Sequence, residues 1–277
     1  MEYGKNPADY PVLDKMNYVI CMTRLAGDTI YLDATRPDLG FGKLSIDCYN
    51  GHARIISKNG GSLYFSTEKI KEQRNTSVFI FNDERGRLGG TFESVPDFFE
   101  SENLRKEIKK SEEKRYFDNL KSGFTDEIEI LNTGIDSLFK TEFPAKVHFD
   151  FRIPVSGNIL YFNPLVVTEY NKNPFESEQR RFPITLPYLI DDLYVLNMEI
   201  PDGYIVDELP KSAKVSYNGD EGFFEYIVEK DQSTIQFRSH IKLNEIVFRA
   251  EDYKSLRDFF AFIVKKYNEQ IVFKRKK

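Results

Sequence analysis

Lys146-Val-His-Phe-Asp-Phe-Arg-Ile153 is the stretch that decides the fold class. Val147, Phe149, Phe151 and Ile153 alternate with Lys146, His148, Asp150 and Arg152, so an extended chain here is apolar on one side and charged on the other. That is the pattern of an antiparallel strand with one face in a core and one in water. The same period returns in Tyr194, Leu196, Met198 and Ile200. It returns again in Ile235, Phe237 and Ile241, with Gln236, Arg238 and His240 turned the other way. Shorter strand candidates lie at 53–56, 62–65, 77–82, 88–95, 213–217 and 223–228. Asn82-Asp-Glu-Arg-Gly86 and Asn218-Gly-Asp-Glu-Gly222 have the composition of hairpin connections.

Two segments break the β pattern. Residues 97–121 are highly charged, and Leu104, Ile108, Phe117 and Leu120 fit helical spacing loosely, which predicts one partly exposed helix stopped by Gly123. Near the end, Tyr253, Leu256, Phe259, Phe260, Ile263, Val264 and Tyr267 form an apolar stripe, with Glu251 and Asp252 before it and Lys265 and Lys266 in its last turn. Those charges complement the helix dipole, and the stripe is the clearest helix in the chain. Residues 161–188 carry four prolines and read as a long loop or edge segments. Ile271-Val-Phe273 reads as a last short strand.

A chain of 277 residues is long enough for two cores. Its 24 Phe and 16 Tyr suit strands and cross-strand pairs. A net charge of -5 disfavours nucleic acid as a partner, because phosphate binding needs a basic surface. Lys274-Arg-Lys-Lys277 reads as a solvated tail. Two cysteines, Cys21 and Cys48, are too few for a disulfide scaffold or a zinc cluster, and Cys21 in its apolar run reads as a buried, inert thiol. No apolar run reaches the length of a membrane helix, and the polar opening residues do not form a signal peptide.

The chemistry-bearing groups are sparse. His148 and His240 fall on the polar sides of their strands, and His52 in Gly51-His-Ala-Arg54 reads as a turn residue. Their spacing suits no metal, and no cofactor is expected. Gly40-Phe-Gly42 lacks the helix and Lys-Ser/Thr of a phosphate loop, and Gly89-Gly90 within a strand predicts a bulge. No Gly-x-Ser-x-Gly elbow occurs. Asp191-Asp192 and Glu112-Glu113 are pairs that a charge-rich chain produces by chance. Asn75-Thr-Ser77 matches a glycosylation acceptor.

Asn17-Tyr-Val-Ile20, the turn at Ala26-Gly-Asp28, Leu32-Asp-Ala-Thr35, Leu39-Gly-Phe-Gly42 and Cys48-Tyr-Asn-Gly51 follow one another in an informative order. That order resembles the tail of the catalytic core in bacterial transglutaminase-like proteins of the papain-type thiol group. The resemblance implies a histidine where Tyr18 stands, the triad aspartate at Asp33, and a nucleophilic cysteine upstream of Met1. A phenol with pKa about 10 is a poor base at pH 7. Tyr18 and Asp33 are therefore expected to be vestigial triad positions, with the Tyr18 hydroxyl donating to Asp33. A second set comprises Tyr161-Phe-Asn-Pro164, Asn173-Pro-Phe175, Arg180-Arg-Phe-Pro183, Pro201-Asp-Gly-Tyr204, Glu208-Leu-Pro-Lys211 and Tyr253-Lys-Ser-Leu-Arg-Asp-Phe-Phe260. These resemble the domain of unknown function that trails the core in such proteins, with the two likenesses strongest at 15–56 and 158–273. The resemblance implies a multidomain protein that is periplasmic or secreted.

The expected fold is mainly β (α+β). A remnant transglutaminase-like hairpin at 1–51 precedes an antiparallel region with an inserted charged helix at 52–157, then a β-sandwich-like domain with a C-terminal helix at 158–277. The expected role is non-catalytic: an accessory region that packs on an upstream domain of the same protein or on another protein. Two alternatives are part of a thiol acyltransferase or peptidase whose cysteine lies upstream, and an envelope carbohydrate- or peptide-binding β module.

Overall fold

The structure is a computed structural model that describes Met16, Phe124 and residues 18–122, 128–167 and 170–276. Asn17, Gly123 and Lys277 lie outside the described residues. In chain order, β1 (Cys21–Leu25), β2 (Asp28–Leu32), β3 (Asn50–Ile55), β4 (Gly61–Ser66), β5 (Lys71–Asn82) and β6 (Leu88–Pro96) come first. The helices α1 (Phe98–Ser111) and α2 (Glu113–Ser122) follow, then β7 (Glu129–Asp136), β8 (Lys146–Ile153), β9 (Ile159–Phe162) and β10 (Ile184–Thr185). The rest are β11 (Leu189–Glu199), β12 (Tyr204–Glu208), β13 (Ala213–Tyr217), β14 (Gly222–Lys230), β15 (Thr234–Leu243), β16 (Val247–Phe248), α3 (Tyr253–Tyr267) and β17 (Ile271–Arg275).

The chain is mainly β, as its alternation predicts. Eight strands form one sheet in the order β13-β14-β15-β11-β5-β6-β8-β7. Neighbours are antiparallel except β5 and β11, which run parallel with Thr76 opposite Tyr194. The sheet therefore continues across residue 157, joining a strand at 71–82 to one at 189–199. A three-stranded sheet, β12-β17-β9, and the ribbons β1-β2, β3-β4 and β10-β16 complete the described strands.

One face of the large sheet carries the core. Val147, Phe149, Phe151 and Ile153 are all buried, while Lys146, His148, Asp150 and Arg152 point the other way. Phe117 of α2 lies edge-on to Phe149 at 6.5 Å, and Tyr267 of α3 lies edge-on to Phe224 at 5.8 Å, so helices cover both halves of that face. Phe162, Ile271 and Phe273 of the small sheet join the same cluster. The prolines of 161–188 sit in chain that laces over α3: Asn163 Nδ2 donates to the Tyr267 carbonyl at 2.8 Å, and the Tyr253 hydroxyl to that of Ser177 at 2.7 Å.

Three local expectations change. The charged insertion is two helices, divided at Glu112, whose φ of 68° no helix interior adopts. Gly89-Gly90 is no bulge: β5 and β6 pair without a register shift, and a Cβ on Gly90 would overlap the Phe151 ring. Glycine there admits an aromatic ring against the backbone, while register shifts occur at Leu131/Gly134 and Val206/Glu208. His52 lies within β3 opposite Tyr64, the rings 5.0 Å apart, and not in a turn.

Candidate functional site

The N-terminal segment is pinned at its middle. Arg105 of α1 is 2% exposed, and its guanidinium donates to the carbonyls of Asp38, Ser137, Leu138, Lys140 and Phe143 at 2.7–3.3 Å. Burial lowers its pKa while Asp38, Glu142 and Glu102 oppose that shift. Arg36 reaches Asp47 at 3.3 Å and Glu102 at 3.8 Å, and Lys109 pairs with Asp38. Gly40 passes so close to the turn after β7 that a Cβ would stand 2.5 Å from the Thr141 oxygen. Leu39 and Leu44 are buried beside these contacts. Residues 36–48 thus form a strap clamped to α1.

Tyr18 and Asp33 meet at the open end of the hairpin that precedes this strap. The two-residue turn Ala26-Gly27, with φ of 50° and 95°, closes β1 on β2 in the geometry favoured for hairpins. Cys21 pairs with Leu32 at the other end, and just beyond it the Tyr18 hydroxyl donates to Asp33 Oδ2 at 2.5 Å. The second carboxylate oxygen accepts from the Thr35 amide at 2.9 Å and its hydroxyl at 2.7 Å. Thr35 Oγ1 also lies 2.6 Å from the Tyr18 hydroxyl. Burial pulls the Asp33 pKa upward, but the hydrogen bonds from Tyr18 and Thr35 outweigh it and hold the carboxyl below its ordinary value. Both oxygens of Asp33 are therefore engaged by neutral donors.

The two cysteines stand in different surroundings. Cys21 is exposed, not buried, because it lies in β1, which no other described residue covers; the ribbon's contact with the rest of the fold runs through β2, where Tyr31 meets Phe65 of β4 edge-on at 5.0 Å. Cys48, partly buried, feels the charges of Asp33 and Asp47. Its thiol is pushed up to about 11, mostly by burial, opposite to the lowering that activates a catalytic cysteine.

The remaining candidates separate. His148 is half-exposed, with Nε2 3.5 Å from Asp136. His240 is instead mostly buried: Nε2 lies 2.7 Å from Asp191 Oδ1 and Nδ1 3.2 Å from Arg238. Arginine only donates, so Nδ1 accepts and Nε2–H donates to Asp191. Asp191 also pairs with Lys71 at 2.5 Å; burial raises its pKa, but these bonds prevail and hold it low. Asp191 and Asp192, adjacent on a strand, point to opposite faces and are not a carboxylate pair. Asn75 is exposed in the middle of β5.

Some informative residues carry no sequence signal. Glu72, 4% exposed on β5, accepts from the Phe99 and Glu100 amides at 3.3 and 2.9 Å and so caps α1 beside Asp97. Burial pushes its carboxyl up to about 7; the two backbone bonds oppose that shift, and Glu100 and Asp97 add to it.

Residues 158–273 match the family described as a domain of unknown function with solved structure, DUF3858. A structure described as that of a "putative protease" from Parabacteroides distasonis is similar at 13% identity with a TM-score of 0.43, over 92% of this chain and 35% of that one. This chain thus spans about a third of that protein's length. No curated protein matches the sequence. Among the described residues, no helix is long and apolar enough to cross a membrane.

Proposed function

We propose that this chain is a non-catalytic packing and interaction region of a transglutaminase-like protein, and that the β1-β2 ribbon is its docking surface. One observation carries the reading. Every residue of β1 is exposed, and Val19, Met22 and Leu25 present apolar side chains to solvent at 77%, 44% and 59% exposure. β2 packs on the β3-β4 ribbon through Tyr31 and Phe65, but among the described residues nothing covers β1, and an exposed apolar edge strand invites a partner. The strap at 36–48 holds the base of the ribbon rigid against α1, as a docking element requires. The partner is an upstream domain of the same protein or a separate protein, in the periplasm or outside the cell.

Asp33 argues against the thiol-enzyme alternative. A triad carboxylate must receive the imidazole N–H. Here Tyr18 and Thr35 donate to both oxygens, which supports the non-catalytic reading. Catalysis by this region would need Tyr18 to swing away and a base to enter from elsewhere.

The test is cleavage at Arg24, exposed in β1. In the native protein a docked ribbon resists trypsin there, and Met22→Glu combined with Leu25→Glu makes it cleave at least tenfold faster. Equal cleavage of parent and double variant would show that nothing covers the ribbon.

A further inference from the structure

Three phenylalanines stand in solvent around the buried Arg105: Phe41 is 66% exposed, Phe139 83% and Phe143 59%. Each sits in a tight turn. Phe41 is the second residue of Gly40–Lys43, closed by a 3.0 Å bond from the Lys43 amide to the Gly40 carbonyl, with Gly42 at φ 73° where a type II turn takes glycine. Phe139 is the third residue of Ser137–Lys140, and Phe143 closes Lys140–Phe143, both turns with 3.1 Å bonds. The Arg105 guanidinium binds carbonyls on either side of Phe139 and that of Phe143 itself, and the Asp38 carbonyl just before Gly40. Gly40 in turn lies against the Thr141 oxygen. The rings are therefore carried on backbone that one cation fixes from below. Turn tips favour Gly, Pro, Asn, Asp and Ser, so three exposed phenyl rings there mark a contact surface.

We propose that these turns seat the protein on an anionic lipid surface, the phenyl rings entering the boundary between headgroups and acyl chains. The inference stands apart from the docking role and uses none of the ribbon residues. The charge of the patch argues for that occupant. The turns carry Lys43 and Lys140 against one carboxylate, Glu142, on a chain whose net charge is -5. Beside them Lys109 pairs with Asp38, and Arg36 and Lys106 with Asp47 and Glu102, so the neighbouring acids are met by cations. Basic side chains flanking apolar ones match lipid phosphates above acyl chains. The rings also stand singly: among the described residues no ring contact joins Phe41, Phe139 and Phe143. Fluid acyl chains close around separate rings, whereas a protein partner needs a shaped pocket for each.

Sedimentation of the full chain with vesicles tests this. Vesicles of equal parts phosphatidylglycerol and phosphatidylcholine should bind it roughly tenfold more strongly than phosphatidylcholine alone, and about 0.5 M salt should remove most of that difference. Lys43→Gln with Lys140→Gln should remove it likewise. Phe139→Ser with Phe143→Ser should lower the partition coefficient roughly tenfold, while Phe139→Leu with Phe143→Leu keeps it within about threefold. Ile56→Ser, at a residue 88% exposed just after β3, should leave it unchanged. No binding to the anionic vesicles overturns the proposal, and so does binding that the serine variant leaves intact. Self-association of the chain that the serine variant abolishes overturns it too, since a second copy would then cover the rings.

Discussion

Tyr18 donates its hydroxyl to Asp33 at 2.5 Å, across the open end of a hairpin whose outer strand is wholly exposed. The pair sets a neutral donor against a carboxylate whose other oxygen is held by Thr35. It makes the hairpin mouth a structural joint between the exposed ribbon and the clamped strap.

Tyr18→Phe should raise the Asp33 pKa toward its ordinary value. The folded carboxyl is held low, so its stabilising contribution is present above pH 3.8 and is lost as pH falls through the folded value. The variant should lose that contribution, destabilising the hairpin by about 1 kcal/mol at neutral pH and narrowing to parity in acid. Carboxyl carbon shifts followed by NMR through pH 2–6 check the titration. Tyr18→His is the complementary change: the imidazole it introduces should titrate above the ordinary histidine value, because Asp33 favours its charged form.

Arg105→Met should cost about 3–5 kcal/mol, since it strands five carbonyls that converge on one buried cation. Arg105→Lys recovers part of this, as an ammonium has three donors against five. Urea denaturation gives the magnitude. Proteolysis should open the strap at 36–48 in the variant before the sheet unfolds.

Glu72 makes the protein less stable as pH rises. Its folded pKa, near 7, lies above its ordinary 4.5, so its penalty is absent below about pH 4.5, grows as pH rises, and is complete above 7. The span is worth on the order of 3 kcal/mol. Glu72→Gln should flatten the stability profile between pH 4.5 and 7 relative to the parent. Comparing the two cancels every contribution they share.

Gly90→Ala should destabilise by about 1–3 kcal/mol, because the new methyl overlaps the Phe151 ring in the core. Gly89→Ala, on the opposite face, meets Phe81 only at 3.4 Å and should be far milder. Thermal unfolding of the two variants separates packing from glycine's backbone freedom, which both substitutions reduce alike.

Much of the β architecture was legible. The alternation at 146–153 places Phe149 and Phe151 in the core, and the stripe from Tyr253 to Tyr267 is a helix as its spacing requires. The contact between Tyr18 and Asp33 was also expected. The parallel pairing of β5 with β11 was not, because it joins strands more than a hundred residues apart and leaves no local period. Arg105 and Glu72 were hidden for another reason. In a charged segment, a residue that turns inward looks like its solvated neighbours, and only the carbonyls or amides it meets reveal the difference. His240 alternates as a surface residue, yet Asp191, Arg238 and Phe223 enclose it. Cys21 erred the other way, since an apolar run is buried only where a layer lies over it.

The docking role of the ribbon is tested most directly by hydrogen exchange at Cys21–Leu25 and Asp28–Leu32, in the native protein and in this chain produced alone. The account predicts amides of both strands protected about 100-fold more strongly in the native protein, a difference of about 2.7 kcal/mol in local opening. Exchange at the same rate in both would contradict it.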